Sequence, residues 1–223
     1  MYKISPSDLT FGWDGCKYCF YMKLKHGIAL KGIFPGMFNR MANMTSRFYF
    51  EKSTAQISPA LPPGVIKLRE GWVQSVPISL PGVASQCYIK GRFDAVVEFS
   101  DRTYGIIDYK TAEATDDQTA FYSRQLSAYA YALENPASGS LLLSPVTRLG
   151  LFIVTPDRFE STPMNEMVFV NKTVWVDVPR DDAAFLALLG EVVTLLDAPE
   201  PPAAAEDCET CNYRKRMERF LER

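Results

Sequence analysis

Two carboxylates and one amine lie within a short central part of the chain, at Asp94, Asp108 and Lys110. Side chains two positions apart on a strand point the same way, so Asp108 and Lys110 share a face if residues 104–110 form a strand. Asp94 belongs to the preceding strand of a predicted hairpin and can reach the same place. Carboxylates suit Mg²⁺ or Mn²⁺, and such a metal polarises a phosphate and lowers the pKa of a bound water. These residues predict metal-dependent cleavage of a phosphodiester, in which Lys110 positions the water or stabilises developing charge.

The elements that must hold these side chains form a mixed series of helices and strands. A helix-rich start is followed by strands from about residue 66 to 110, and a helix capped by Asp116 or Asp117 runs to Leu133. Further segments are strands at 149–155 and 167–178, an apolar helix at 181–196, a proline-rich linker at 198–206 and a basic helix at 213–223. We also expect a capped helix from about Ser5 that runs with interruptions towards Lys25. This order predicts an α/β or α+β domain, and we expect one domain spanning residues 1–223.

Bulk composition limits the possible environments and partners. The net charge of −2 provides no overall basic field, which weakens an interpretation as a nucleic-acid binder but leaves room for a local basic groove. No apolar run approaches the roughly 20 residues needed to span a bilayer. The first eight residues lack the apolar core of a signal peptide. We therefore expect a cytoplasmic protein without a membrane partner, whose cysteines are thiols or metal ligands rather than disulfides.

Four of the five cysteines form two C-x-x-C pairs near opposite ends of the chain. Cys16 and Cys19 make one pair, and Cys208 and Cys211 make the other. Each pair offers two thiolates to one metal centre, and two pairs complete a four-cysteine site. We expect segments 16–19 and 208–211 to meet around either a zinc ion or an iron–sulfur cluster. Cys87 lies within a strand pattern and is most simply a buried small hydrophobe.

Three segments of the chain resemble motifs of the PD-(D/E)XK nuclease superfamily, specifically its RecB-like branch. The matching segments are Gly91-Arg92-Phe93-Asp94, Ile106-Ile107-Asp108-Tyr109-Lys110-Thr111 and Gln125-Leu126-Ser127-Ala128-Tyr129. Each motif alone is weakly specific, but the order and spacing of the three motifs together are fairly specific. The motif core covers about residues 91–131. The resemblance implies a restriction-endonuclease-like α/β core, in which helices flank a central mixed sheet.

The resemblance also implies roles for individual residues. The metal ligands correspond to Asp94, Asp108 and the carbonyl of Tyr109. Lys110 corresponds to the catalytic lysine. The residues that lie beside the site, where they contact DNA or support the catalytic groups, correspond to Gln125 and Tyr129. The implied reaction is Mg²⁺- or Mn²⁺-dependent hydrolysis of DNA, exonucleolytic on single-stranded ends, in repair, recombination, or CRISPR adaptation and defence.

With its cysteine pairs, the chain resembles two kinds of RecB-like nuclease, the CRISPR-associated exonucleases and the AddB-type nuclease domains. In those proteins, cysteines flanking the nuclease core hold a 4Fe–4S cluster, commonly one before the core and three after it. This chain divides them two and two, and Zn²⁺ satisfies the same spacing, so the residues alone allow either cofactor. The resemblance favours a 4Fe–4S cluster, with Zn²⁺ as the alternative. A helicase or an integrase is the kind of partner that the resemblance implies.

One position departs from the family pattern and supports a second hypothesis. The family often carries a metal-binding His or Glu on an early helix, soon after a glycine. Here Gly36 begins that segment, but Asn39 and Arg40 stand where the ligand is expected. Glu51 is a later substitute, and the single histidine, His26, lies earlier. The alternative function is therefore a nuclease-derived module that binds nucleic acid or assembles a complex without turnover.

Basic and aromatic residues near the two cysteine pairs could form a surface for single-stranded nucleic acid. Such surfaces combine a cationic groove with aromatic rings on which bases stack. The basic candidates are Lys17, Lys23, Lys25, Lys31, Arg214, Lys215, Arg216 and Arg219. The aromatic candidates are Tyr18, Phe20, Tyr21, Tyr122 and Tyr129. The simpler interpretation is that the charges are solvated and the rings belong to the core.

Overall fold

A computed structural model describes residues 1–29, 36–111 and 118–221. The strands are β1 (Tyr2–Ile4), β2 (Gly64–Arg69), β3 (Trp72–Gln74), β4 (Cys87–Arg92), β5 (Ala95–Phe99), β6 (Tyr104–Lys110), β7 (Val146–Ser161) and β8 (Met167–Asp177). The helices are α1 (Lys17–His26), α2 (Gly36–Tyr49), α3 (Gln118–Glu134), α4 (Asp182–Asp197) and α5 (Glu209–Leu221). Short 3₁₀ helices occupy Pro6–Leu9 and Thr54–Gln56.

The larger sheet has five strands in the order β2-β5-β6-β7-β8. β6 and β7 are parallel, and the other neighbouring pairs are antiparallel, so the sheet is mixed. α3 connects β6 to β7, as expected because parallel neighbours need a crossover. A smaller sheet has the order β1-β4-β3. The predicted α/β architecture, with a central mixed sheet flanked by helices, is confirmed.

Alternating side chains of β6 enter two different cores. Ile106 packs into a large cluster that includes Leu126 of α3 and Leu189 of α4. Ile107 and Tyr109 point to the opposite face, where the smaller cluster is packed against the end of α2. Asp108 and Lys110 therefore lie on the face of β6 that is covered by α3.

Local signals account for the helices that cover this sheet. Asp181 caps α4, since its Oδ1 accepts a hydrogen bond from the Ala184 N–H at 2.8 Å. The helix expected between Ser5 and Lys25 is instead a 3₁₀ turn followed, after a break, by α1. The expected cap of α3 at Asp116 or Asp117 lies outside the described residues. None of the described helices is long and apolar enough to cross a bilayer.

Gly91 sits where β4 passes close to the first 3₁₀ helix, and this contact requires a residue without a side chain. A Cβ at Gly91 would lie 2.5 Å from Pro6 Cδ and 3.3 Å from the Tyr129 ring. We expect Gly91→Ala to lower the free energy of unfolding by about 1–3 kcal/mol through overpacking. Urea denaturation measures this loss.

Gly190 in the middle of α4 is the matched control, because nothing lies within 4 Å of its would-be Cβ. Gly190→Ala is expected to stabilise the protein by about 0.5–1 kcal/mol, since alanine favours a helix. Equal effects of the two substitutions would show that the Pro6 contact does not constrain position 91.

Candidate active site

Asp94, Asp108 and Lys110 come together where β5 and β6 pair. Asp94 directly precedes β5, one residue outside the strand in which the sequence suggested it. Its Oδ2 accepts a hydrogen bond from the Tyr109 N–H at 2.8 Å. Lys110 Nζ lies 2.6 Å from Asp108 Oδ2. The hairpin thus brings both carboxylates to one place, with the amine beside Asp108.

α3 supplies two polar side chains one helical turn apart, which therefore share a face. Gln125 Nε2 donates to Asp108 Oδ1 at 3.2 Å. The Tyr129 hydroxyl donates to the Arg92 carbonyl at 2.7 Å, and its side chain is only 5% exposed. Gln125 thus contacts a carboxylate directly. Tyr129 instead bonds to the backbone at Arg92, two residues before Asp94.

Burial and like charge make Asp94 a weak acid in the metal-free protein. Burial, followed by the charge of Asp108, raises the pKa of Asp94 from 3.8 to about 7. Burial alone would lower the pKa of Lys110, but the charge of Asp108 and their contact outweigh it and raise that pKa. Lys110 therefore keeps its proton, and once Asp94 is ionised the two carboxylates outnumber the one amine.

The donor set fits a hard divalent cation. Asp108 Oδ2 is buried and contacts Lys110 Nζ at 2.6 Å, whereas the buried Gln125 Oε1 accepts no hydrogen bond from the described part of the protein. A buried oxygen without a donor is costly, and a cation bound between the two carboxylates would also remove their mutual repulsion. Asp94 and Asp108 would hold such an ion.

The raised pKa of Asp94 predicts a dependence of stability on pH. Between about pH 4 and pH 7 the folded protein keeps a proton that the unfolded chain has lost, so the free energy of unfolding falls as pH rises through this window. Asp94→Asn removes the ionisation but keeps an oxygen that accepts from Tyr109. In buffer without Mg²⁺ or Mn²⁺, we expect this substitution to stabilise the protein by about 1–3 kcal/mol at pH 8 and by much less near pH 4. Urea unfolding at both pH values tests this, and an equal effect at each would contradict it.

The early helix does not complete the carboxylate site. Tyr49, at the end of α2, packs its ring 4.9 Å from Phe152, on the sheet face opposite to Asp108. Asn39 and Arg40 are exposed on α2, and Glu51 is exposed just after it. Within the described residues, no His, Cys, Asp or Glu joins Asp94 and Asp108 to make a group of three potential ligands.

The two C-x-x-C pairs meet, as the sequence predicted. The four Sγ atoms all lie within 4.8 Å of one another. Cys19 Sγ is 3.4 Å from Cys211 Sγ and 3.7 Å from Cys208 Sγ, and Cys16 Sγ is 3.9 Å from Cys211 Sγ. Each pair lies at the start of a helix, α1 or α5, where the helix dipole favours thiolates.

Backbone N–H groups also favour a thiolate in this cluster. Burial would raise the pKa of Cys16, but hydrogen bonds from the N–H groups of Cys19 and Ala205 help to outweigh it and lower that pKa to about 7. The Ala205 N–H lies 3.4 Å from Cys16 Sγ. Four clustered thiols with these donors fit a soft metal centre, of which Zn²⁺ and iron–sulfur clusters are the usual examples.

The aromatic surface differs from the one that the sequence suggested. Phe20 and Tyr21 are at most 2% exposed and belong to the core, so they are unavailable for stacking. The aromatic residues that are exposed near the cysteines include Phe11 and Tyr213, which sequence analysis missed. Phe11 precedes α1 in a turn, where no periodic pattern could have identified it.

Some of the basic residues suggested by the sequence already bond to groups within the protein, whereas others are exposed. Lys23 pairs with the buried Asp8 at 2.5 Å. Lys25 donates to the Tyr21 hydroxyl and to a backbone carbonyl, both at 2.6 Å. Lys31 lies outside the described residues. The exposed Arg214 remains beside the cysteine cluster, and its Nη1 donates to the Tyr18 hydroxyl at 2.5 Å.

Among the comparisons with known proteins, a family model identifies the superfamily of this chain. The comparison with curated proteins found no match. Among solved structures, the chain is similar to one described as "Crystal structure of SSO0001", with a TM-score of 0.45 and 15% identity over 88% of this chain and 78% of that one. The family model of the PD-(D/E)XK nuclease superfamily matches residues 37–216, which is most of the sequence. The chain belongs to the PD-(D/E)XK nuclease superfamily.

Proposed function

We propose that this protein is a metal-dependent deoxyribonuclease of the RecB-like branch that degrades DNA exonucleolytically from single-stranded ends. The observation that carries the proposal is the convergence of Asp94, Asp108 and Lys110, with Lys110 Nζ 2.6 Å from Asp108 and both carboxylates held where β5 and β6 pair. Membership of the nuclease superfamily supports the same reaction type. Resemblance to CRISPR-associated and AddB-type nucleases supports a role in repair, recombination or CRISPR adaptation, with a helicase or integrase as partner.

Each residue of the proposed site has a distinct task. Asp94, Asp108 and the Tyr109 carbonyl would hold Mg²⁺ or Mn²⁺. The ion would polarise the phosphate of the substrate and lower the pKa of a bound water. Lys110, kept protonated by Asp108, stabilises negative charge that builds on the phosphate. Gln125 orients Asp108 through its 3.2 Å hydrogen bond. Tyr129 is a positioning residue that acts through Arg92.

We also propose that Cys16, Cys19, Cys208 and Cys211 hold a structural metal centre. A single tetrahedral ion with bonds of about 2.3 Å separates its sulfurs by roughly 3.8 Å. Three of the sulfur pairs are 3.4–3.9 Å apart, and all four sulfurs lie within 4.8 Å of one another. A four-iron cluster spreads its thiolates farther apart, because each binds a different iron. The sulfur spacing thus favours Zn²⁺, whereas the family resemblance favours 4Fe–4S. Iron and zinc analysis of anaerobically purified protein, together with absorption at about 400 nm, distinguishes the two.

Cleavage of end-labelled DNA tests the proposed nuclease. Wild-type protein is incubated with a single-stranded oligonucleotide and with a blunt duplex, in Mn²⁺, in Mg²⁺ and without divalent cations. We expect metal-dependent shortening of the single strand from an end, and little cleavage of the blunt duplex. Metal-independent cleavage, or no cleavage in either metal, would overturn the proposal.

A second function, a binding module without turnover, is supported by the early helix. α2 offers Asn39 and Arg40 where relatives carry a metal ligand, and its end packs on the face away from Asp108. The same assay separates the two functions, because a binding module retards the labelled single strand in a native gel but does not shorten it in Mg²⁺ or Mn²⁺.

A further inference from the structure

A cavity of about 550 Å³ lies between α1 and α5, beside the cysteine cluster. Its size is within the range of small-molecule sites. Its lining is largely apolar and aromatic and includes Phe11, Tyr18, Phe20, Tyr213, Arg214 and Met217. Cysteines of both C-x-x-C pairs form part of its wall, so the cluster holds the two sides of the cavity together.

The charge of the cavity suits an anion. Its described lining contains the cations Lys23 and Arg214 and no Asp or Glu. Lys23 also pairs with Asp8, and the exposed Arg214 lies 3.5 Å from the exposed Glu218, so Arg214 is the more accessible of the two cations. The Arg214 guanidinium carbon lies 4.6 Å from the centre of the Tyr18 ring. Lys215 and Arg216, both exposed, follow on α5. A cationic edge over aromatic walls is suited to a ligand that joins phosphates to flat rings.

Two aromatic rings at the cavity are largely exposed to solvent. Phe11 is 64% exposed, and Tyr213 is 65% exposed. Exposed rings beside cations are the platforms on which the bases of single strands stack. Bases within a duplex already stack on one another, so these rings favour unpaired bases.

Aromatic contacts connect the cavity to the carboxylate site. The Phe11 ring lies 5.0 Å from that of Phe121 and 6.1 Å from that of Tyr122. Lys110 Nζ lies 4.2 Å from the centre of the Tyr122 ring, and the same amine contacts Asp108. The cavity wall at Phe11 is therefore in contact with the ring that covers Lys110, although Tyr122 itself is buried.

We propose that the cavity between α1 and α5 binds the bases of a single-stranded nucleic acid whose end lies at Asp108. Phe11 and Tyr213 stack on bases, and Arg214 contacts a phosphate. This inference rests on the proposed nuclease function and specifies the substrate class and its path. A strand held at both places enters the active site end first, as exonucleolytic cleavage requires.

Binding of fluorescent oligothymidylate, followed by anisotropy without added Mg²⁺ or Mn²⁺, tests the proposal without cleavage. Phe11→Ala and Tyr213→Ala are each expected to weaken binding by about fivefold or more, the effect of losing one base stack. The matched control is Phe159→Ala. Phe159 is 62% exposed but stacks on Phe169 in the β7–β8 hairpin, so its removal should leave the affinity unchanged.

Two further measurements keep the result decisive. Unchanged melting temperature and metal content show that a variant is folded, and a bromodeoxyuridine oligonucleotide should crosslink to wild-type Phe11 or Tyr213. Wild-type affinity in both variants, with no crosslink, would overturn the proposal and leave the cavity to a protein partner. If both variants bind like wild type but Mn²⁺-dependent cleavage is intact, only the proposal of base binding in the cavity is refuted. If binding depends on Phe11 but no cleavage occurs, only the proposed nuclease function is refuted.

Discussion

Replacing Asp108 with Asn is expected to reduce Mn²⁺-dependent cleavage of single-stranded DNA by about a thousandfold or more. The physical reason is that Asp108 would provide one of two carboxylates for the cation, whose stabilisation of a reacting phosphate is worth several kcal/mol. Asn keeps the shape and the oxygen that accepts from Gln125 at 3.2 Å, so the site should stay folded. Initial cleavage rates on an end-labelled oligonucleotide measure the loss, and isothermal titration with Mn²⁺ shows whether metal affinity falls with it.

The role of the Lys110 amine in cleavage can be tested by comparing substitutions of Lys110 and Lys172. Both make an ion pair at 2.6 Å, Lys110 with Asp108 and Lys172 with Asp157. Lys110 is 18% exposed beside the carboxylates, whereas Lys172 is 72% exposed on the β7–β8 hairpin. Lys110→Ala should slow cleavage by about 100-fold or more while Mn²⁺ still binds, and Lys172→Ala should have no effect. If Asp108→Asn and Lys110→Ala both cleave like wild type, these residues are not the active site.

Substitution of one cysteine of the four-cysteine cluster is expected to have the largest effect on stability. Cys208→Ser should abolish stoichiometric metal binding and lower the free energy of unfolding by about 3 kcal/mol or more, because metal binding and folding are coupled. At this chain length, that loss corresponds to a fall in melting temperature of roughly 10 °C. Elemental analysis and thermal unfolding of the same preparation measure both effects.

Cys87 is the control for this substitution. It is fully buried in the main core and lies outside the cysteine cluster. Cys87→Ala should keep the full metal content and lose only about 1 kcal/mol from the smaller side chain. Wild-type metal content and melting temperature in Cys208→Ser would refute the metal centre, whichever metal had been proposed.

Local spacing in the sequence was sufficient to predict much of the candidate site. The two-residue spacing of Asp108 and Lys110 sets a common direction on a strand, and the four-residue spacing of Gln125 and Tyr129 sets a common face on a helix. These relations depend only on backbone geometry, which neighbouring residues determine. The roles of these side chains in catalysis stay predictions until the substitutions are measured.

Spacing could not predict which distant surfaces meet. Phe20 and Tyr21 are aromatic residues suited to stacking but are buried, whereas the exposed rings near the cysteines include Phe11 and Tyr213. The end of α2 packs on the face of the sheet away from Asp108, so the early helix brings no ligand from its described residues to the carboxylates. Which side chains are buried, and which face of the sheet a helix covers, depend on how the whole chain packs. The local sequence around one residue contributes only weakly to that packing.

The chemistry of the side chains, their directions along single elements and the membership of a nuclease superfamily follow from the sequence alone. The folded chain was needed to see that the two terminal C-x-x-C pairs meet, with all four sulfurs within 4.8 Å of one another, and that Phe11 contacts the Tyr122 ring that covers Lys110. This difference comes from the range of the interactions. Direction within one element follows from local backbone geometry, whereas contacts between elements form only when many non-local contacts together offset the entropy of ordering the chain.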